Sequence, residues 1–344
     1  MSKKFDVVIG NPPYQEEAQG AGTRDTPVYH RFMDAAYEVG KKAVLITPAR
    51  FLFNAGFTPK AWNEKMLADE HLTVPHYAPN SNDLFPGTDI MGGIAVTYRN
   101  EDHTGEPIGT FTKYPELNHI LHKVLEVGGA SLEDAGITSS RSYRYTNSLY
   151  QEYPDALALR PEGNAALVNT NTFEQFAFMY HAERPDDGLE YIQVLGLIKN
   201  KRQTRWIRKD YVSGPGAFEK HKVAIPASNG SVDLGGVGVP CVLGPNVAVT
   251  QTFITIGAFD SQDQAEACLK YVKTKFARAL LGVLKITQHN PARVWKYVPL
   301  QDFSSASDID WSKPLADIDQ QLYAKYNLDA DEIAFIEAQI KPMS

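Results

Sequence analysis

The sequence predicts an α/β chain: a sheet layered with helices, then a mixed, β-rich region, then a short helical tail. Two observations carry this prediction. Short apolar runs alternate with helically spaced ones over the first 115 residues, the pattern of an α/β sheet with mostly parallel strands. From about 130 to 175 the sequence turns polar and turn-rich, and between Tyr191 and Ile256 β-rich pieces are set apart by Gly, Pro and Asn before helical spacing returns. With 344 residues, 43% of them hydrophobic and 22% charged, the chain is long enough for two or three domains with cores of their own.

Taken in order, Phe5-Asp6-Val7-Val8-Ile9 is a compact apolar run suited to a buried strand, and Gly10, Asn11, Pro12 and Pro13 forbid its continuation. Tyr29 to Val39 has helical spacing through Phe32, Ala35, Ala36 and Val39. Ala43 to Ile46 is again a strand, and Pro59 to Leu67 a helix with proline near its first turn. Leu72 to Tyr77 and Gly93 to Tyr98 complete the strands of this sheet. Ligands of such sheets bind beyond the carboxyl ends of the strands, where Asn11 to Tyr14 would lie. Gly128-Gly129 marks a domain boundary. Beyond it, Ile192 to Ile198, Val223 to Pro226, Val237 to Leu243 and Phe253 to Ile256 read as strands. Gln262 to Leu284 reads as one long helix, and Ile318 to Tyr326 and Asp331 to Ile340 as two short ones, the last capped by Asp329 to Glu332.

Charge is uneven. The chain as a whole carries a formal −7, which argues against a uniformly basic coat for nucleic acid, yet residues 191–300 hold 15 Lys/Arg against 6 Asp/Glu and 301–344 hold 3 against 9. One polyanion-facing module would give this pattern, as would clustering on a solvated face. Lys199, Lys201, Arg202, Arg205, Arg208 and Lys209, with Trp206 and Tyr211 interleaved, form the densest part. Lys and Arg at phosphates would position such a segment on DNA, although Trp206 serves equally well as a packing residue. Two cysteines, Cys241 and Cys268, are too few for a disulfide scaffold and lack the spacing of a zinc site. His30, His71 and His76 have no ligand spacing either, so no metal is expected. No apolar stretch is long enough for a signal peptide or a membrane span. A reducing cytoplasm is the expected setting.

The motif that carries chemistry is Asn11-Pro12-Pro13-Tyr14. The exocyclic amine of adenine is a poor nucleophile because its lone pair is conjugated with the ring. The side-chain oxygen of Asn11 and the backbone carbonyl of Pro12 can accept hydrogen bonds from the two amine hydrogens and favour the pyramidal, more nucleophilic nitrogen, with no general base of perturbed pKa. The prolines fix the backbone so that both acceptors converge. Tyr14 offers an aromatic face to a base removed from the duplex, and such stacking contributes roughly 1 to 3 kcal/mol.

On this motif and on several others, the sequence resembles the adenine-specific (N6) DNA methyltransferases of type II and type IIG restriction-modification systems. Phe5 to Gly10 looks like the usual lead-in to the tetrapeptide. Leu45-Ile46-Thr47-Pro48-Ala49-Arg50-Phe51-Leu52 resembles the next strand and turn. Leu84-Phe85-Pro86 with Gly92 to Val96 resembles the segment whose aromatic residue packs on the flipped base, which makes Phe85 a second stacking candidate beside its plain reading as a core aromatic. Lys199 to Tyr211 resembles part of the target-recognition region, and Trp295 to Lys341 is similar to the family's carboxyl-terminal tail.

What the resemblance implies is a partial Rossmann-like methyltransferase sheet at 1–127, a DNA target-recognition domain at 128–300 and a helical tail at 301–344. The implied reaction is methyl transfer from S-adenosylmethionine to adenine in a specific double-stranded DNA sequence. Asn11 and Pro12 would polarise the amine, with Pro13 completing the elbow; Tyr14 and Phe85 would sandwich the base; and Lys199, Lys201, Arg202, Arg205, Arg208 and Lys209 would contact DNA.

The sequence also departs from the family. The glycine-rich loop that holds the methyl donor, and the acidic residue after it, belong before the tetrapeptide strand, and only Met1 to Lys4 precede it here. Asp233 to Gly238 is the one glycine-rich alternative and reads better as a β-turn. The donor-binding half is therefore expected to be missing or supplied by another chain, and a partner chain or second copy is expected to cover the sheet edge at residues 5–9. The rival reading is a non-catalytic DNA-recognition subunit, or a fragment of a split enzyme. A nuclease is disfavoured because no Glu-x-Lys or Asp-x-Lys tripeptide occurs. Ser228-Asn229-Gly230 and Thr287 to Asn290 read as ordinary polar turns, and Glu16-Glu17 as a solvated pair.

Overall fold

The computed structural model describes residues 3–16, 25–54, 57–90, 92–159, 166–229, 233–285 and 287–343. Glu17 and Gly230 lie outside the described residues. Contacts divide the chain into two compact units, Met1–Asn118 and His119–Ser344. The division falls before Gly128-Gly129.

In the first unit the elements run β1 (Phe5–Gly10), β2 (Gln15–Glu16), β3 (Thr26–Pro27), α1 (Tyr29–Val39), β4 (Gly40–Pro48), a 3₁₀ turn (Ala49–Phe53), α2 (Lys60–Leu67), β5 (Leu72–Ala78), β6 (Ile94–Asn100) and the start of α3 (Pro115–Val127). The strands form a four-stranded sheet in the order β1-β4-β6-β5. β1 runs parallel to β4, while β6 runs antiparallel to both β4 and β5. Three strands therefore share one direction and β6 alone opposes them. β5 and β6 are joined by a loop whose described residues hold only a 3₁₀ turn, Ser81–Asp83, whereas a parallel return usually runs through an α-helix.

The apolar positions of α1 bury Tyr29, Met33, Ala36 and Tyr37 on one face of the sheet, together with Phe51, Leu52, Trp62, Met66 and Leu67. Val8 of β1 packs against this core. Its neighbours alternate outward, so Phe5, Val7 and Ile9 are 57%, 50% and 77% exposed. Among the described residues β1 is an edge strand with one side and one face open, which corrects the reading of Phe5 to Ile9 as a buried strand.

In the second unit come β7 (Ile137–Thr138), β8 (Arg144–Tyr145), α4 (Asn147–Glu152), α5 (Thr172–Gln175), β9 (Tyr191–Ile198), β10 (Lys201–Arg208), β11 (Val212–Ser213), β12 (His221–Pro226), β13 (Cys241–Leu243), β14 (Val247–Val249), β15 (Phe253–Phe259), α6 (Gln262–Lys273), α7 (Lys275–Leu284), α8 (Leu315–Lys325) and α9 (Ala330–Gln339). The main sheets are β10-β9-β14 and β13-β12-β15-β7. The tyrosines of the polar-looking run 139–145 face inward: Tyr143 and Tyr145 are buried, and the Tyr145 hydroxyl meets those of Thr172 and Tyr180.

The single helix expected over Gln262 to Leu284 is broken at Thr274. Its backbone is extended there, its hydroxyl accepts from Ala277 N, and the Asp319 carboxylate accepts from Lys275 N at 3.1 Å and Phe276 N at 2.9 Å. Two caps, one from a distant helix, satisfy the new helix start and offset the lost turn. The predicted cap of α9 is present as a reciprocal pair of Asp329 and Glu332.

The turn into β6 depends on Gly93, at φ +78; a Cβ there would lie 2.3 Å from the Ala78 carbonyl oxygen. Gly93→Ala should therefore destabilise the protein by at least about 2 kcal/mol, read as a lowered urea midpoint; an unchanged midpoint would show that the turn relaxes freely.

Candidate functional site

β1 and β4 are adjacent and parallel, so the residues that follow them, Asn11 to Tyr14 and Ala49-Arg50, leave the sheet at the same end. β6 is antiparallel, so the loop that precedes it arrives at that end too. These three segments enclose a cleft of about 560 Å³ lined by Asn11, Pro12, Pro13, Tyr14, Gln15, Arg50, Asp89 and Ile90. That volume lies within the range of small-molecule sites, roughly 300 to 1,000 Å³. All four residues of the tetrapeptide are thus brought together on one wall. Phe85 is half-buried and is not among the lining residues. Ile90, from the same loop, presents the apolar surface expected of it.

Neither Pro12 nor Pro13 has a backbone N–H, and the Pro12 carbonyl oxygen has no hydrogen-bond partner among the described residues. Asn11 is exposed. Burial pushes the Tyr14 phenol up, with the Asn11 side chain as the smaller opposing influence; its buried hydroxyl makes no hydrogen bond of normal geometry. The chain is then held by Val28 N donating to Tyr14 O at 3.1 Å and by pairing of β2 with β3. On the other wall, the loop carrying Asp89 and Ile90 is closed by Ser81, whose hydroxyl donates to Thr88 O and accepts from Ile90 N, both at 2.9 Å. Arg50 and Asp89 line the same cleft without forming an ion pair. Sequence reasoning assigned roles to none of Arg50, Asp89 and Ile90; the one available signal was the cation in Thr47-Pro48-Ala49-Arg50, directly after a strand.

The basic segment proves to be one arm of a hairpin. β9 and β10 pair antiparallel through the two-residue turn Lys199-Asn200, both residues at positive φ, the conformation required by a tight hairpin turn. The six cations have different company. Lys199 and Lys201 are exposed at the tip, with no ion pair among the described residues. Arg202 donates to Val239 O and sits over the Phe253 ring; Arg205 donates to Gln203 Oε1 and Thr204 O. Lys209 pairs with Glu190 at 3.4 Å. Arg208 is fully engaged: it makes two bonds to Asp210, at 3.0 and 2.6 Å, and one to Glu152 at 2.6 Å, and its guanidinium lies 4.4 Å from the centre of the Tyr211 ring.

Residues 1–85 match the family model of the Eco57I restriction-modification methylases. A protein of Mycoplasma pneumoniae described as an uncharacterized adenine-specific methylase is 28% identical over 108 residues, 30% of this chain and 26% of that protein. Among solved structures, the type IIG restriction endonuclease BpuSI is similar with a TM-score of 0.35 at 10% identity, over 97% of this chain and 53% of that one. The type IIL restriction-modification enzyme MmeI, solved in complex with DNA, gives 0.33 at 10% identity, over 97% and 56%. The chain spans about a quarter of the curated relative and about half of the two enzymes, and structural scores this low leave the fold to be argued from the sheet itself.

The remaining candidates have structural explanations. The two polar loops pair with each other: Ser228 bridges His289, Asn229 N donates to Gln288 O and Asn290 N to Ala227 O. Gly235 lies close against α7, where a Cβ would meet the Arg278 carbonyl oxygen at 2.2 Å, and the glycine-rich run leads into strand β13. No group of three or more metal-ligating side chains occurs among the described residues. Cys241 and Cys268 are free thiols. No described helix is long and apolar enough to cross a membrane.

Because Arg208 holds α4 and the 210–211 turn together, Arg208→Gln should lower stability by about 1 to 3 kcal/mol in chemical denaturation. A loss below about 0.5 kcal/mol would class these contacts with ordinary surface pairs.

Proposed function

We propose that this chain contributes the target-base side of an active site that methylates adenine in a specific DNA sequence, with S-adenosylmethionine as the donor that the family implies. The observation that carries this reading is the placement of Asn11, Pro12 and Tyr14 on one wall of an open cleft at the end of a strand, in the part of the chain that matches the methylase family. Asn11 Oδ1 and the Pro12 carbonyl accept the two hydrogens of the adenine amine, and Pro13 keeps the elbow rigid. Tyr14 stacks on a base turned out of the duplex, an extrusion that costs a few kcal/mol. Phe85, the second stacking residue suggested by sequence, lies outside the cleft lining, and Ile90 is the better placed apolar surface.

The residues present do not fit the donor by themselves. Among the described residues no glycine-rich turn joins a strand to a helix as a phosphate- or nucleotide-cradling loop does. Further polypeptide, as a partner chain or a second copy, is the proposed source, and the proposed docking edge is β1. Its exposed Phe5, Val7 and Ile9 would each gain roughly 1 to 2 kcal/mol on burial of the half or more of their surface still open, and its free side would gain strand pairing. This same misfit favours a second reading, a DNA-recognition subunit that completes another chain's active site. Calorimetric titration with S-adenosylmethionine separates the two, since a self-sufficient enzyme binds it.

Double-stranded DNA is the proposed partner of the β9–β10 hairpin. Lys199 and Lys201, unpaired at the tip, are the foremost phosphate contacts; Arg202, Arg205 and Lys209 contribute from their present bonds; and Arg208 serves the fold first. Two predictions follow from these assignments. Asn11→Ala in the assembled enzyme should reduce methylation at least about 100-fold, as loss of a single well-placed polar group at a reacting centre does, with DNA affinity nearly kept; retained methylation would remove the catalytic role. Lys199→Ala with Lys201→Ala should reduce the slope of log affinity against log salt by about 2, whereas an unaltered slope would return the hairpin tip to a solvated face.

A further inference from the structure

The cleft holds a cation that the proposed chemistry does not use. Arg50 follows β4, next to the tetrapeptide's own strand, and helps to line the cleft. Its position is fixed by the fold. Ala49 N donates to Gly93 O at 3.0 Å, Asn54 N donates to Arg50 O, and the stem runs so close to Gly92 that a Cβ there would lie 2.9 Å from Arg50 Cγ. Arg50 Nε is buried with no hydrogen-bond partner, and no carboxylate forms an ion pair with the guanidinium among the described residues. Asp89, the other charged residue of the lining, is exposed and leaves it unpaired.

A half-buried guanidinium without a counter-charge is costly unless an anion completes it, and its planar donors suit phosphate. The facing wall offers neutral acceptors, Asn11 Oδ1 and Pro12 O, which suit an amine and provide no counter-ion. We propose that Arg50 binds the phosphodiester of the nucleotide whose base occupies the cleft. The inference rests on the adenine reading given above and adds to it the group that anchors the extruded nucleotide by its backbone. The cleft then recognises two ends of one nucleotide: the amine at the end of β1 and the phosphate at the end of β4. Arg50 is a binding residue in this scheme and takes no part in activating the amine.

The test is binding of two probes to the whole chain by NMR titration: 2′-deoxyadenosine and 2′-deoxyadenosine 3′,5′-bisphosphate. The bisphosphate should bind about tenfold more tightly than the nucleoside. Arg50→Gln should bring its affinity down to the nucleoside's level, and Arg50→Lys should keep part of the difference, with thermal melting used to verify that both variants are folded. Equal affinity of the two probes for the unmodified chain, or a difference that survives Arg50→Gln, would overturn the assignment. Failure of the adenine reading looks different: deoxyribose 3′,5′-bisphosphate, which has no base, would bind as tightly as the full nucleotide, and Asn11→Ala would change nothing.

Discussion

The site depends on a backbone fact: two consecutive residues, Pro12 and Pro13, have no N–H to donate. A strand that reaches them cannot continue its ladder, so β1 ends at Gly10 and the chain leaves the sheet there. Elsewhere a buried backbone acceptor is almost always paired. Here the Pro12 carbonyl has no partner among the described residues, beside an exposed Asn11, and the fixed φ of each proline holds that carbonyl in place. An acceptor held rigid and left unpaired offers a hydrogen bond, which the fold itself does not use, to any donor that meets it.

Sheet topology does the rest. Had β6 been parallel to β4, the loop before it would have emerged at the opposite end of the sheet, and the cleft would have had one wall. Its antiparallel insertion between β4 and β5 brings the 79–93 loop to the carboxyl ends of β1 and β4. Ser81 then fixes the loop's shape through two hydrogen bonds, so Asp89 and Ile90 face the tetrapeptide from a closed loop.

What was legible in the sequence follows from the range of the forces involved. β1, α1 and α9 are set by local apolar spacing, by prolines and by caps within a few residues, and their limits were read closely. The tetrapeptide was legible for the same reason. Arg50, Asp89 and Ile90 were not, because what gathers them is a register among strands far apart in sequence. The basic segment shows the limit most clearly. Its charge was evident, but its partners were not: Arg208 is held by Glu152, 56 positions away, so a residue that counts as a DNA contact by composition is engaged by the fold. Thr274 is similar, since nothing near it in sequence announces that Asp319 will cap the helix behind it.

The open edge and the cleft belong to the same strand, and this links assembly to chemistry. Among the described residues β1 pairs with β4 alone; Val8 against the core, Lys4 N donating to Val39 O and the exposed Lys41–Asp6 pair add to its hold, and a surface ion pair adds little. A strand so sparsely held opens at a lower free energy than a central one, and its carboxyl end carries Asn11 and Pro12. Polypeptide that pairs with the free side and buries Phe5, Val7 and Ile9 would stiffen the strand, and with it the two acceptors. Hydrogen-bond acceptors assist a reaction only when they are held where the reacting group will be. Any polypeptide that covered this edge would therefore act on the acceptor geometry as well as on stability.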